Sequence, residues 1–115
     1  MKDSLKKFYS NFFNSINGFR EALKEHSFVS EIILGLFLVP FLIFVETDNF
    51  IKLLVIIIYF FLLAFELLNT SIEKLSDKVN KDYDPDIKSI KDMSSAAVFI
   101  ILLILIFLVV FSIFV

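Results

Sequence analysis

The sequence predicts an all-α integral membrane domain spanning residues 1–115, with one amphipathic surface helix followed by three transmembrane helices. Three observations carry that prediction. Hydrophobic residues make up 58% of only 115 positions and the mean hydropathy is +0.86. A soluble domain of such size leaves roughly a third of its unfolded surface in water and cannot hide that much apolar matter. Apolar runs also recur at the ~20-residue length a helix needs to cross hydrocarbon. Finally, the cations are unevenly distributed along the chain.

The surface helix is expected at 5–24. Leu5, Phe8, Phe12, Phe13, Ile16, Phe19 and Leu23 recur at three- and four-residue spacing, with lysine, serine and asparagine between them. That pattern is a helix lying along a membrane face. No secretory signal is expected, because the first long apolar run begins late and lacks a small-residue cleavage site.

The first span is expected at 28–46, where Ile32 to Val45 is apolar and Phe28 and Val29 extend it around Glu31. Pro40 inside it is a candidate kink, tolerated where neighbours satisfy the freed carbonyl. The second span is expected at 50–69, with Lys52 snorkelling at one end and Glu66 closing the apolar run at the other. Residues 70–92 read as the end of that helix and a loop, broken by the Asp84-Pro85-Asp86 turn, with a new helix starting near Ile87. The third span is expected at 93–115, since Ala96 to Val115 carries no charge and only Ser112 is polar.

Lys2, Lys6, Lys7, Arg20 and Lys24 precede the first span, and Lys74, Lys78, Lys81, Lys88 and Lys91 lie between the second and third. Of 11 cations only Lys52 falls elsewhere. The positive-inside rule then places the N-terminus and the 70–92 segment in the cytoplasm and the C-terminus outside.

Composition also excludes chemistry. With no cysteine there is no disulfide, cysteine nucleophile or zinc-thiolate site, and one histidine cannot form a histidine cluster. A net charge of −2 gives no electrostatic support for nucleic-acid binding. Two glycines, Gly18 and Gly35, cannot build a P-loop or a dinucleotide loop. If a nucleotide is handled, carboxylates, magnesium and lysines must do it.

Several polar residues stand where they need a reason. A carboxylate at the centre of a membrane helix costs about 2.5–3.5 kcal/mol on insertion scales. Glu66, Asn69 and Glu73 share one helix face by their offsets, and Asp77 continues it. Like charges at that spacing repel unless neutralised, and a divalent cation with oxygen ligands would neutralise them. Asp77 itself reads as a solvated charge paired with Lys74, Lys78 or Lys81. Glu25 adds a carboxylate from a second helix, or pairs with Arg20 or Lys24. Glu31 lies deeper in the apolar run, and His26 reads as interfacial. Ser94-Ser95-Ala96-Ala97 reads as a close-packing run. Lys91, at a helix head, opposes the macrodipole and would suit a bound phosphate there.

The segment Glu66-Leu67-Leu68-Asn69-Thr70-Ser71-Ile72-Glu73, followed by Lys91-Asp92-Met93-Ser94-Ser95-Ala96-Ala97-Val98, closely resembles the prokaryotic diacylglycerol kinase family. The family pattern is E-x-x-N-[ST]-x-I-E, then K-D-M-x-[SA]-A-A-V, and the likeness covers nearly the whole chain. The resemblance implies an inner-membrane, multi-pass kinase that moves the γ-phosphoryl of ATP to a lipid hydroxyl. It implies a homotrimer with sites formed between neighbouring subunits. It implies Glu66 as general base, and Glu25 and Glu73 as ligands of Mg²⁺. Lys7, Glu25, Asn69, Glu73, Asp82, Tyr83, Asp84, Lys91 and Asp92 match positions around ATP. Arg20, Leu23, Phe28, Glu31, Glu66 and Ser95 match positions around the lipid. Phe28 and Glu31 favour the diacylglycerol branch over the undecaprenol branch. Family members often carry Trp near the surface helix, and this chain has none.

A different class of protein, a small oligomeric transporter or channel, would place its key charge near the bilayer midplane. Glu66, Asn69, Glu73 and Lys91 instead crowd toward the face assigned to the cytoplasm. That arrangement favours the kinase.

Overall fold

The computed structural model describes residues 1–115. Its elements are four helices, α1 (Lys2–Ala22), α2 (His26–Phe44), α3 (Asn49–Val79) and α4 (Pro85–Phe114). Local chemistry explains where each one stops. The amides of Lys24 and Glu25 turn back onto the carbonyls of Glu21 and Ala22, closing α1, and Glu25 then becomes extended to start α2. Asn80 is extended and ends α3. Asp84 caps α4, accepting from the amides of Asp86 at 2.9 Å and Ile87 at 3.4 Å, with Pro85 in the first turn.

Helix α1 begins at Lys2 and ends at Ala22, so Leu23 and Lys24 belong to the turn that follows it. Helix α2 runs through Pro40 to Phe44. Helix α3 is one continuous rod of 31 residues, about 46 Å long at 1.5 Å per residue, against ~30 Å of hydrocarbon. Its last ten residues therefore extend past the span as ordinary helix. Helix α4 starts at Pro85, so Lys91 lies well inside it. The dipole effect fades within the first turn, so it does not account for Lys91.

Helices α2, α3 and α4 are each long and apolar enough to cross a membrane. They run antiparallel to their chain neighbours, with α3 in the middle, packed on α4 along its length and on α2 along part of it. On α3 the residues Val55, Leu62, Asn69 and Ser76, seven apart, are all buried. A repeat of seven keeps one seam facing a partner helix. The apolar half of the seam, Val55 and Leu62, meets Leu105 of α4 in the core. The other half is polar.

Most large apolar side chains of the bundle face outward, Phe37, Phe44 and Phe107 among them. These faces suit lipid or further protein, not water. The molecule measures 48 × 47 × 22 Å. The bundle accounts for one long dimension, and α1, standing off it, makes the second.

Candidate functional site

The polar half of the α3 seam gathers side chains from three helices. Glu66 is 5% exposed although it follows an apolar run. It lies on α3 one turn after Leu62, which packs in the core with Leu105 of α4, and one turn before Asn69, with Glu31 of α2 as a neighbouring carboxylate. One turn further, Asn69 is also buried. Its Oδ1 accepts from Ser94 Oγ of α4 at 2.7 Å, and its Nδ2 donates to Glu73 Oε1 at 3.3 Å. The Ser94 bond fixes which way the amide faces. Small residues at Ser94–Ala97 let α4 approach closely enough to make it.

Beyond the span, Lys91 Nζ meets Asp77 Oδ1 at 2.5 Å. The partner of Asp77 is thus a lysine from α4 and not Lys74, Lys78 or Lys81. Asp82, Tyr83 and Asp84 meet Lys91 around a polar cleft of about 210 Å³ at the α3–α4 turn, to which Lys81 and Lys88 add charge. Asn80 Oδ1 accepts from the Asp82 amide at 3.0 Å, and Asp84 caps α4, so this turn is held by its own side chains. Asp92 pairs with Lys88 at 2.7 Å on the exposed side of α4.

A second cleft, about 310 Å³, opens where the end of α1 meets α3. Glu25 and Lys74 line it and pair at 2.6 Å. Lys24 pairs with Glu21 at 3.0 Å, so neither Lys24 nor Arg20 is the partner of Glu25. The hydrogen bond to Glu25 holds the Lys74 ammonium above the ordinary lysine range, helped by the charges of Glu25 and Glu21 and opposed by desolvation. The Thr70 hydroxyl of this cleft is buried without a hydrogen-bond partner.

The remaining sequence-derived positions are more scattered. Phe28 is buried at the start of α2, next to this cleft in sequence, while Ser95 is exposed beside Ser94. Arg20 and Leu23 are exposed at the end of α1, and Lys7 lies near its start, away from both clefts. Glu25 and Glu73 are carboxylates of the kind a hard cation takes, but they face different neighbours, Lys74 and Asn69. Within one chain no three histidine, aspartate or glutamate side chains converge on a point.

Sequence reasoning missed three participants. Ser94 lies in a run whose small residues point to close packing, and its hydroxyl adds a hydrogen bond to that packing. Lys74 is one of three lysines near Asp77 in sequence and pairs with Glu25 instead. Tyr59 is the only residue between Leu53 and Phe65 with a polar side-chain atom, and that was the available signal. Its hydroxyl donates to the Glu31 carbonyl at 2.8 Å.

A family model described as prokaryotic diacylglycerol kinase matches residues 13–114. A diacylglycerol kinase of Pseudomonas aeruginosa is 34% identical over 89 residues, covering 76% of this chain and 72% of that protein.

Proposed function

The chain belongs to the prokaryotic diacylglycerol kinase family, and from that premise we propose that it transfers the γ-phosphoryl of ATP to the free hydroxyl of diacylglycerol, giving phosphatidic acid and ADP. The observation that carries this reading is the buried carboxylate of Glu66 at the head of a polar seam. Its place near the end of the apolar run suits a lipid whose head lies at the interface while its tails stay in hydrocarbon.

Glu66 takes the proton of the lipid hydroxyl as that oxygen bonds to the γ-phosphorus. The bond between that phosphorus and the β–γ bridging oxygen breaks, and ADP leaves. Such a transfer needs positioning and neutralised charge more than covalent help from the protein. Lys91 supplies positive charge at the α3–α4 cleft. Asp82, Tyr83 and Asp84 shape that cleft, Asn69 and Asp92 hold their positions by hydrogen bonds, and Lys7 comes from the surface helix. Arg20, Leu23, Phe28, Glu31 and Ser95 form the lipid side.

Glu73 and Glu25 are the residues that would hold Mg²⁺. The ion supplies charge neutralisation on the ATP phosphates. Glu25 and Glu73 face different neighbours in one chain, so adjoining subunits complete each site, as in the homotrimer that the family resemblance implies. The outward apolar faces of the bundle support the same assembly. In the cell this is a multi-pass inner-membrane protein, with α1 on the cytoplasmic surface, residues 70–92 cytoplasmic and the C-terminus outside.

The test is phosphoryl transfer by purified protein in lipid micelles, offering dioleoylglycerol and undecaprenol separately, with and without Mg²⁺. Magnesium-dependent transfer to dioleoylglycerol, lost in Glu66→Gln, is the expected result. Transfer to undecaprenol alone would overturn the substrate while keeping the chemistry. No transfer to either by folded protein would overturn the proposal.

A further inference from the structure

Tyr59 and Gly35 meet where α2 and α3 cross. The phenol ring lies so close over Gly35 that any Cβ there would collide with its hydroxyl end. The hydroxyl reaches past Gly35 and donates to the main-chain carbonyl of Glu31, one turn away, at 2.8 Å. It is the only side-chain hydrogen bond between α2 and α3. Tyr59 also stands seven residues before Glu66, hence on the same face of α3, about 10 Å along the axis. The two residues this bond brings into register are therefore Glu31 and Glu66, one on each of the two helices.

Two carboxylates offer each other no attraction, so what fixes the gap between Glu31 and Glu66 must lie beside them. Along the first part of α2, Ile33, Leu36 and Phe37 face outward, while Phe28, Leu34 and Gly35 pack inward. The tyrosine bond and the glycine contact fix the spacing of α2 and α3 just membrane-inward of the carboxylates. We infer that Tyr59, seated on Gly35, is a positioning residue for the lipid side of the site, setting the gap between Glu31 and Glu66 into which a lipid hydroxyl fits. The inference rests on the lipid kinase reading. It predicts an effect on the lipid and none on ATP, since Asn69 and Lys91 are held by bonds between α3 and α4 and Glu25 by its own pair with Lys74.

Tyr59→Phe removes only the hydroxyl. The KM for dioleoylglycerol should rise about three- to tenfold, the factor carried by a hydrogen bond between membrane helices. The KM for ATP should stay at the parent value. Because the chain has no cysteine, nitroxides at Ile33→Cys and Phe61→Cys, both exposed, report the α2–α3 distance directly. That distribution should broaden in Tyr59→Phe. Gly35→Ala, which forces the ring off its seat, should give the same pattern, and adding Tyr59→Phe to it should raise the lipid KM no further.

An equal rise in both KM values would overturn the inference, since general loosening would do that. A parental lipid KM would overturn it too, as would additive effects of the two substitutions. A parent that transfers phosphate to no lipid would count against the kinase reading instead. The distance distribution would then decide the inference by itself, an unchanged distribution overturning it.

Discussion

Lys91 Nζ lies 2.5 Å from Asp77 Oδ1, so the lysine that faces the cleft at the α3–α4 turn is held there by a carboxylate from the opposite helix. An ammonium has three donors, and Asp77 engages one of them, leaving two for phosphate oxygens. The pair aims the lysine and at the same time ties together the two arms of the hairpin.

Asp77→Asn should therefore raise the KM for ATP about three- to tenfold, with the lipid KM unchanged. The melting temperature should fall only slightly, since a half-exposed pair is worth at most about 1 kcal/mol. Exchanging the partners, Asp77→Lys with Lys91→Asp, should restore the melting temperature but not the ATP KM. Steady-state kinetics with ATP varied, beside thermal melting in detergent, checks both. An ATP KM unmoved by Asp77→Asn would remove this role.

Glu66→Gln should lower kcat by about 10²- to 10⁴-fold, the range for loss of a positioned general base. The affinity for ATP should survive, because no ATP-facing pair involves this residue. Stability should hold, since Gln keeps the size of this buried side chain and carries no charge for burial to penalise. Nucleotide binding measured by calorimetry, with melting curves of both proteins, separates this outcome from a folding defect. A Gln variant that both melts earlier and loses ATP would point to a structural carboxylate.

The polar stripe on α3 was legible in the sequence because it is helical arithmetic. The offsets of Glu66, Asn69 and Glu73 are local facts, as is the turn at Asp84-Pro85-Asp86, although the helix expected near Ile87 starts at Pro85. Charge partners were not legible. Glu25 with Lys74, and Asp77 with Lys91, are chosen by how helices cross, and several lysines were equally near in sequence. Tyr59 was invisible for a related reason. An aromatic in an apolar run means nothing until a glycine on another helix is found beneath it. Length misled as well, since hydropathy marks where hydrocarbon ends and not where the helix does. So α3 continues through Val79, and Lys91 falls inside α4.

Ser94→Ala should weaken catalysis without touching any group that meets substrate. Losing the 2.7 Å bond frees the Asn69 amide to turn, and its Nδ2 then no longer steadies Glu73. A net hydrogen bond of about 0.5–1.5 kcal/mol corresponds to a fall in kcat/KM for ATP of roughly two- to twelvefold. Ser95→Ala, one residue on but facing outward, should leave the ATP parameter alone. Equal effects of the two alanines on kcat/KM for ATP would show the Ser94 bond to be incidental.

The Lys74–Glu25 pair gives a pH dependence whose sign is fixed. Lys74 lies beyond the spanning part of α3, and its folded form holds its proton more tightly than an unfolded lysine does. Its contribution to stability is therefore complete below the ordinary lysine pKa of about 10.4. It is lost as pH rises above that value and through the higher folded one. Melting temperature should be insensitive to this pair from pH 7 to 9 and should fall more steeply above about pH 10 in the parent than in Lys74→Met. The same pair bears on metal use, because Glu25 cannot serve a lysine and a cation with the same oxygen. Lys74→Met should thus lower the Mg²⁺ concentration needed for half-maximal activity. A variant with parental magnesium dependence would mean that Glu25 keeps Lys74 throughout the reaction and that the metal is held elsewhere.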